Sequence, residues 1–255
     1  MRRVAPGVIA LLAVTAFLAG VVDAIAGGGG LITLPALLMA GLPAHVALGT
    51  NKGQSVWGSG AALFAFWRAD RVDRRQAGWT FPLGLVGSAI GAQLVLLIDK
   101  DALRPVVIAM LIGAAVLLVV RKPRPADEES IGDRARRFLL FAGVLAFVIG
   151  AYDGFFGPGT GTFLIVGFSA FCGKTLPHAT ADAKVVNFAS NLASVTSFAI
   201  AGTVAWEVAI PMACGQLLGG VVGARLAIRG GAKLIRIMVL VVSGALVTKL
   251  VVDLL

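Results

Sequence analysis

Charge is what this chain has least of. Lys, Arg, Asp and Glu make up 14% of its 255 residues, where a soluble domain carries about 25%. So few charges cannot clothe a water-facing surface, which excludes an ordinary cytosolic enzyme. With 58% hydrophobic residues, a disordered chain is excluded too. The two cysteines, Cys172 and Cys214, both sit inside apolar runs. They exclude a secreted disulfide scaffold, support no metal pair and read as small buried hydrophobes. The sequence has no Ser-His-Asp order with a supporting motif, no metal-spaced His/Cys cluster and no G-x-x-x-x-G-K-[ST] phosphate loop. No cofactor is implied, and the chain is not expected to be an enzyme.

Apolar length and glycine are what it has in excess. Mean hydropathy is +0.93, and 33 residues are Gly, nearly twice the usual share of about 7%. Together they indicate an all-α integral membrane protein, because Gly is common where membrane helices pack closely or break. Runs of about 20 apolar residues cross a bilayer. Eight such runs can be drawn: 4–25, 44–66, 79–98, 103–120, 138–156, 176–201, 208–228 and 234–252. Two shorter pieces, 29–40 and 160–172, each follow a Gly-rich break and read as broken or re-entrant half-helices. The first run follows Arg2 and Arg3 and ends near Ala24-Ile25-Ala26, so it imitates a cleavable signal. A retained span is the preferred reading, because the Asp–Gly sequence at its end recurs later in the chain.

The net charge of +9 is not a nucleic-acid footprint. Sixteen of the 35 charges fall in two short stretches, 67–75 and 121–137. Basic loops of this kind stay on the cytoplasmic side. The partners expected are therefore the lipid bilayer and a small anionic substrate, with no nucleic acid; a homo-oligomer is left open. Starting from Arg2 and Arg3, the N-terminus is expected in the cytoplasm of a bacterial-type inner membrane. Counting onwards from there leaves Arg225, Arg229, Lys233 and Arg236 on the outside, against the rule.

The chain also repeats itself. D-A-I-A-G-G-G-G at 23–30 matches D-G-F-F-G-P-G-T at 153–160, an offset of 130. Lys52 matches Lys184, Gly87 matches Gly219 and Gly91 matches Gly223, now at an offset of 132. Two tandem four-helix repeats follow, 1–120 and 138–255, joined by a charged cytoplasmic linker at 121–137. Four crossings per half predict parallel repeats; an odd number would invert one half against the other. Carriers are commonly built this way, with the substrate site where the repeats meet.

The Asp–Gly break followed by A-L-G-T-N-K (47–52), with its weaker copy A-T-A-D-A-K-V-V-N-F-A-S-N (179–191), resembles the TauE/SafE sulfite exporter family over nearly the whole chain. That resemblance implies a multi-span carrier of small sulfur-containing anions or sulfonates, such as sulfite or sulfoacetate. The second copy departs from the first: Asp182-Ala183-Lys184 stands where the first has Thr50-Asn51-Lys52.

Lys52 and Lys184 fall inside apolar spans, where a charge costs roughly 2.5–3.5 kcal/mol. Two readings offset that cost. In one, both face a central cavity and attract an anion. Alternatively each pairs with a nearby Asp and only holds the bundle, Lys52 with Asp23 and Lys184 with Asp153 or Asp182. Asp23, Asp153 and Asp182 are thus candidates for ion pairing or proton coupling, and the first two could instead cap the half-helices that follow them. Gly28 and Gly29, with Gly157 and Gly159, can bare backbone amides at a half-helix N-terminus, a natural cradle for an oxyanion. Thr50 and Asn51 flank Lys52, and Lys184, Asn187 and Asn191 share one helix face. The function expected is alternating-access transport at a midplane site between the repeats. An anion channel and a non-transporting scaffold or enzyme subunit are the alternatives.

Overall fold

The computed structural model describes residues 4–99 and 134–254. The span drawn at 103–120 and the linker up to residue 133 lie outside the described residues. Those described form eight α-helices and no strand. In chain order they are α1 Pro6–Ala26, α2 Gly30–Met39, α3 Ala44–Arg68, α4 Arg74–Leu96, α5 Arg134–Phe155, α6 Thr160–Cys172, α7 Leu176–Ile200 and α8 Trp206–Leu254.

The boundaries have local causes. Pro6 opens α1, where its missing N–H would have no partner anyway. The Asp73 carboxylate accepts from the amides of Arg75 and Gln76, both at 3.1 Å, and so starts α4 five residues before the apolar run begins. Gly27 ends α1 in the left-handed region, at φ 79°. Gly231 (φ 56°, ψ −155°) breaks α8, dividing the two runs expected at 208–228 and 234–252.

Four helices are long and apolar enough to cross a membrane by length and composition: α1, α4, 138–155 of α5 and 206–238 of α8. Their outward faces are stripes of exposed large apolar side chains, such as Leu11, Val14 and Leu18 on α1 and Val86, Ile90 and Leu94 on α4. Between them lie α3 and α7. Each has 25 residues, but too many are polar for the same test. Those polar residues are buried: Thr50, Asn51, Lys52 and Gln54 on α3, and Asp182, Lys184, Asn187, Ser190 and Asn191 on α7.

Helix directions follow from which residues touch. Gly49 of α3 lies against Thr203 and Phe198, Lys52 meets Asn191, and Gly60 lies against Phe188. As one number rises the other falls, so α3 and α7 are antiparallel. By the same test α1 runs parallel to α8, with Gly215 on Ala13 and Gly223 on Val21. So does α4 with α5, with Gly87 on Phe147 and Gly91 on Ala151. A Cβ at any of these four glycines would collide with backbone across the seam, which is the close approach that small residues permit. The parallel relation expected from four crossings per half is therefore not what α3 and α7 adopt. Cys214 also departs from expectation: it is exposed, whereas Cys172 is buried.

Both chain breaks reach the centre. Gly29 lies against Ala19 and Asp23, so α2 turns back along α1. Gly27 abuts Gly161, Gly30 abuts Pro158, and Thr162 donates to the Ala26 carbonyl at 2.7 Å. The α1–α2 break and the α5–α6 break thus touch each other.

Candidate functional site

Around these breaks is a polar chamber lined by Asp23, Gly27, Gly30, Asn51, Lys52, Ser55, Asp153, Gly157, Asn187 and Asn191. It is narrow. About 20 Å³ is open to the centres of water molecules, against roughly 10–15 Å³ for a single water.

The lysines and aspartates are paired across the chain. Lys52 Nζ of α3 lies 2.7 Å from Asp153 Oδ1 of α5. Lys184 Nζ of α7 lies 3.0 Å from Asp23 Oδ2 of α1 and also donates to the Asp23 backbone carbonyl. The expected pairings, Lys52 with Asp23 and Lys184 with Asp153 or Asp182, are therefore corrected: each half's lysine holds the other half's carboxylate. The reason is the antiparallel packing of α3 and α7, which carries each lysine to the far break. Two ammonium groups and two carboxylates balance, as buried charge requires.

Hydrogen bonds fix the rest of the chamber. Lys52 also donates to Asn191 Oδ1 at 3.4 Å, and Asn191 Nδ2 donates to Asn187 Oδ1 at 2.9 Å and to Ser59 Oγ at 3.3 Å. Asp153 accepts from Thr160 Oγ1 at 2.8 Å and from the Ser190 hydroxyl. Asn51 Oδ1 accepts from Thr33 Oγ1 at 2.6 Å and Gln54 Nε2 at 3.1 Å. Gly157 has φ 101°, and a Cβ there would come within 2.8 Å of Lys52 Nζ and 3.1 Å of Asp153 Oδ1. The glycine leaves room for the ion pair.

Of the residues singled out in the sequence, Asp23, Asn51, Lys52, Asp153, Gly157, Asn187 and Asn191 line the chamber. Gly28, Gly29 and Gly159 form the breaks; the Gly29 amide points at Asp23 Oδ1 from 3.4 Å, and Gly159 precedes α6 at φ 85°. Lys184 is fully buried behind Asp23 rather than on the chamber wall. Thr50 and Asp182 are elsewhere. Thr50 Oγ1 accepts from the Ala205 amide at 3.0 Å, just before α8. Asp182 Oδ1 accepts from the Asp73 amide at 2.9 Å, just before α4, and its Oδ2 lies 3.1 Å from Lys174. They are equivalent positions doing one job, holding the start of an outer helix. Each lies two residues before its lysine, on a different face of the helix.

Thr33, Thr160 and Ser59 were missed. A lone hydroxyl, whether in an apolar half-helix as Thr33 and Thr160 or in α3 as Ser59, carries no signal of which carboxylate or amide it will meet. Among the described residues no group of His, Cys, Asp and Glu could hold a metal ion.

Comparison with known proteins accords with this construction. Residues 12–250 match the family described as sulfite exporter TauE/SafE. A probable membrane transporter protein of Haemophilus influenzae is 41% identical over 247 residues, covering 96% of this chain and 95% of that protein. The probable membrane transporter protein YfcA of Escherichia coli K12 is 40% identical over 254 residues, covering 98% and 92%. The probable membrane transporter protein ORF9 of a Sinorhizobium species is 39% identical over 253 residues, covering 99% and 96%. No solved structure matches the chain. The match runs through both breaks and both lysine-bearing helices, and the chain belongs to the TauE/SafE sulfite exporter family of membrane transporters.

Proposed function

We propose that the chain carries a small oxyanion, sulfite or an organosulfonate, across a bacterial inner membrane by alternating access at the central chamber. The observation that carries this reading is the crossed pairing of Lys52 with Asp153 and Lys184 with Asp23 where the two breaks touch. An intramembrane cation at a cavity is a binding feature by default. Lys52 supplies the charge, and the Ser55 hydroxyl and the Asn51, Asn187 and Asn191 amides around it suit sulfonyl oxygens. The chamber has room for little more than a water, so an anion enters only when the halves part. Because each half grips the other's lysine, loosening one pair frees that motion.

The two halves are read as inverted repeats, with α2 and α6 as re-entrant half-helices. Equivalent residues support this: Thr50 with Ala205 in one half mirrors Asp182 with Asp73 in the other. The helix directions gather Arg68, Arg71, Arg74, Arg75, Lys174, Arg225 and Arg229 at one end. Placing that end in the cytoplasm puts these seven cations on the inner side, as the positive-inside rule favours. It puts the Pro6 end of α1 on the outer face, in place of the cytoplasmic N-terminus drawn from Arg2 and Arg3.

The test is flux in proteoliposomes with sulfite, sulfate, thiosulfate, sulfoacetate and acetate, with and without a pH gradient. Saturable flux with counterflow for a sulfur oxyanion is the expected result. Unsaturable flux indicates a channel, and no flux of any anion rejects transport.

A further inference from the structure

The two ion pairs occupy equivalent positions but are built differently. Asp153 is locked: Lys52, Thr160 and Ser190 all donate to it, and its side chain is 3% exposed. At the offsets that relate the halves, Thr160 corresponds to Gly30 and Ser190 to Gly58. Asp23 therefore has neither hydroxyl. Among the described residues, beyond Lys184 its carboxylate meets only the Gly29 amide, at a long 3.4 Å, and it is 15% exposed, on the chamber wall. Gly58 cannot acquire the missing side chain, because a Cβ there would meet Gln216 at 2.8 Å.

We propose that Asp23 is the proton-binding residue of the transport cycle and that Asp153 is a static strut; this rests on the transport reading above. The proton adds to the Asp23 carboxylate and neutralises it. Lys184 keeps the Asp23 backbone carbonyl as acceptor but loses its counter-charge. The chamber, neutral with two lysines and two aspartates, then carries one net positive charge and accepts one monovalent anion. Proton and anion cross together as a neutral pair.

The groups facing Asp23 fit this role. Lys184 approaches from α7, and Lys52 of α3 lines the same chamber. Asp153 of α5 lines the same chamber. The α8 seam against α1 includes Gly215, Gly219 and Gly223 with the neutral Gln216 against Gly20, and α2 has no titratable residue.

The experiment measures uptake of a monovalent alkanesulfonate, which does not itself bind protons near neutral pH, and proton movement together in proteoliposomes, using a lumenal pH dye. Asp23→Asn is expected to lose pH-gradient-driven uptake and proton movement by tenfold or more. Retention of proton-coupled uptake by folded Asp23→Asn overturns the proposal. Should that variant not fold, Gly30→Ser decides. It places a hydroxyl where Thr160 stands in the other half, and a Cβ there meets the Pro158 Cα at 3.3 Å, a tight contact that needs a shift of a few tenths of an ångström but no collision. A second charged hydrogen bond to Asp23 predicts roughly tenfold slower uptake at pH 7 and a pH profile moved to the acid side. An unchanged profile overturns the proposal. Saturable flux in the unaltered protein with no accompanying proton movement overturns it but leaves transport standing. Absence of any flux removes both.

Discussion

Lys52 and Asp153, from opposite halves of the chain, meet at 2.7 Å with both side chains all but sealed from solvent. Removing one partner from such a pair typically costs about 3–5 kcal/mol, because a charge is left buried alone. Lys52→Ala should therefore abolish flux and lower thermal stability together. The double substitution Lys52→Met with Asp153→Leu removes both charges at similar volume. It should recover most of the stability and none of the flux, as read by thermal unfolding in detergent beside uptake. Recovered uptake would remove Lys52 from the site.

Gly157 has a narrower role than the packing glycines. Its φ of 101° strains any side chain, and a Cβ would press on the Lys52 ammonium and the Asp153 carboxylate. Gly157→Ala should disturb the ion pair before it disturbs helix seams. The expected outcome is loss of uptake with a stability cost of about 1–3 kcal/mol. A variant with unaltered uptake kinetics would separate this break from the site.

Lys174 sits between Asp73, at 2.7 Å, and Asp182, at 3.1 Å, outside the chamber. Burial pushes the Asp73 carboxyl up, but the Lys174 ammonium and the Gln76 and Arg75 amides outweigh it and hold the carboxyl below its ordinary value. Burial pushes the Lys174 ammonium down, but Asp182 and Asp73 outweigh it and raise it. The signs give two edges. The Asp73 contribution is complete above about pH 4 and is lost as pH falls through its lowered value. The Lys174 contribution is complete below about pH 10 and is lost as pH rises through its raised value. Asp73 is 42% exposed, so solvent screening keeps its share under about 1 kcal/mol. Lys174→Met should remove the alkaline edge of the melting-temperature profile and shrink the acid edge, which the Gln76 and Arg75 amides still sustain in part. An alkaline edge that survives in that variant would place its origin elsewhere.

Orientation is tested with single cysteines in a background of Cys172→Ala and Cys214→Ala. Arg71→Cys should react with an impermeant maleimide only from the cytoplasmic face. Glu207→Cys, in the first turn of α8, should react only from the outer face. The reverse pattern would overturn the proposed orientation.

Some of this architecture is legible residue by residue. The two Asp–Gly motifs, the matched lysines and the matched glycines mark the breaks, the inner helices and the seams, because each sequence signal has a local physical meaning. Gly ends or bends a helix, and a buried charge needs an opposite charge. The pairings were not legible. Sequence proximity favoured Lys52 with Asp23, and an even count of spans favoured parallel halves.

Composition and periodicity alone determined a membrane helix bundle with two interrupted helices and paired buried charges, since those follow from hydropathy, chain length and local backbone freedom. Only the tertiary structure decided which carboxylate each lysine meets and which residues leave the chamber. A helix direction is set by packing across the whole bundle, and reversing α7 against α3 exchanges every long-range partner while leaving each local sequence signal unchanged.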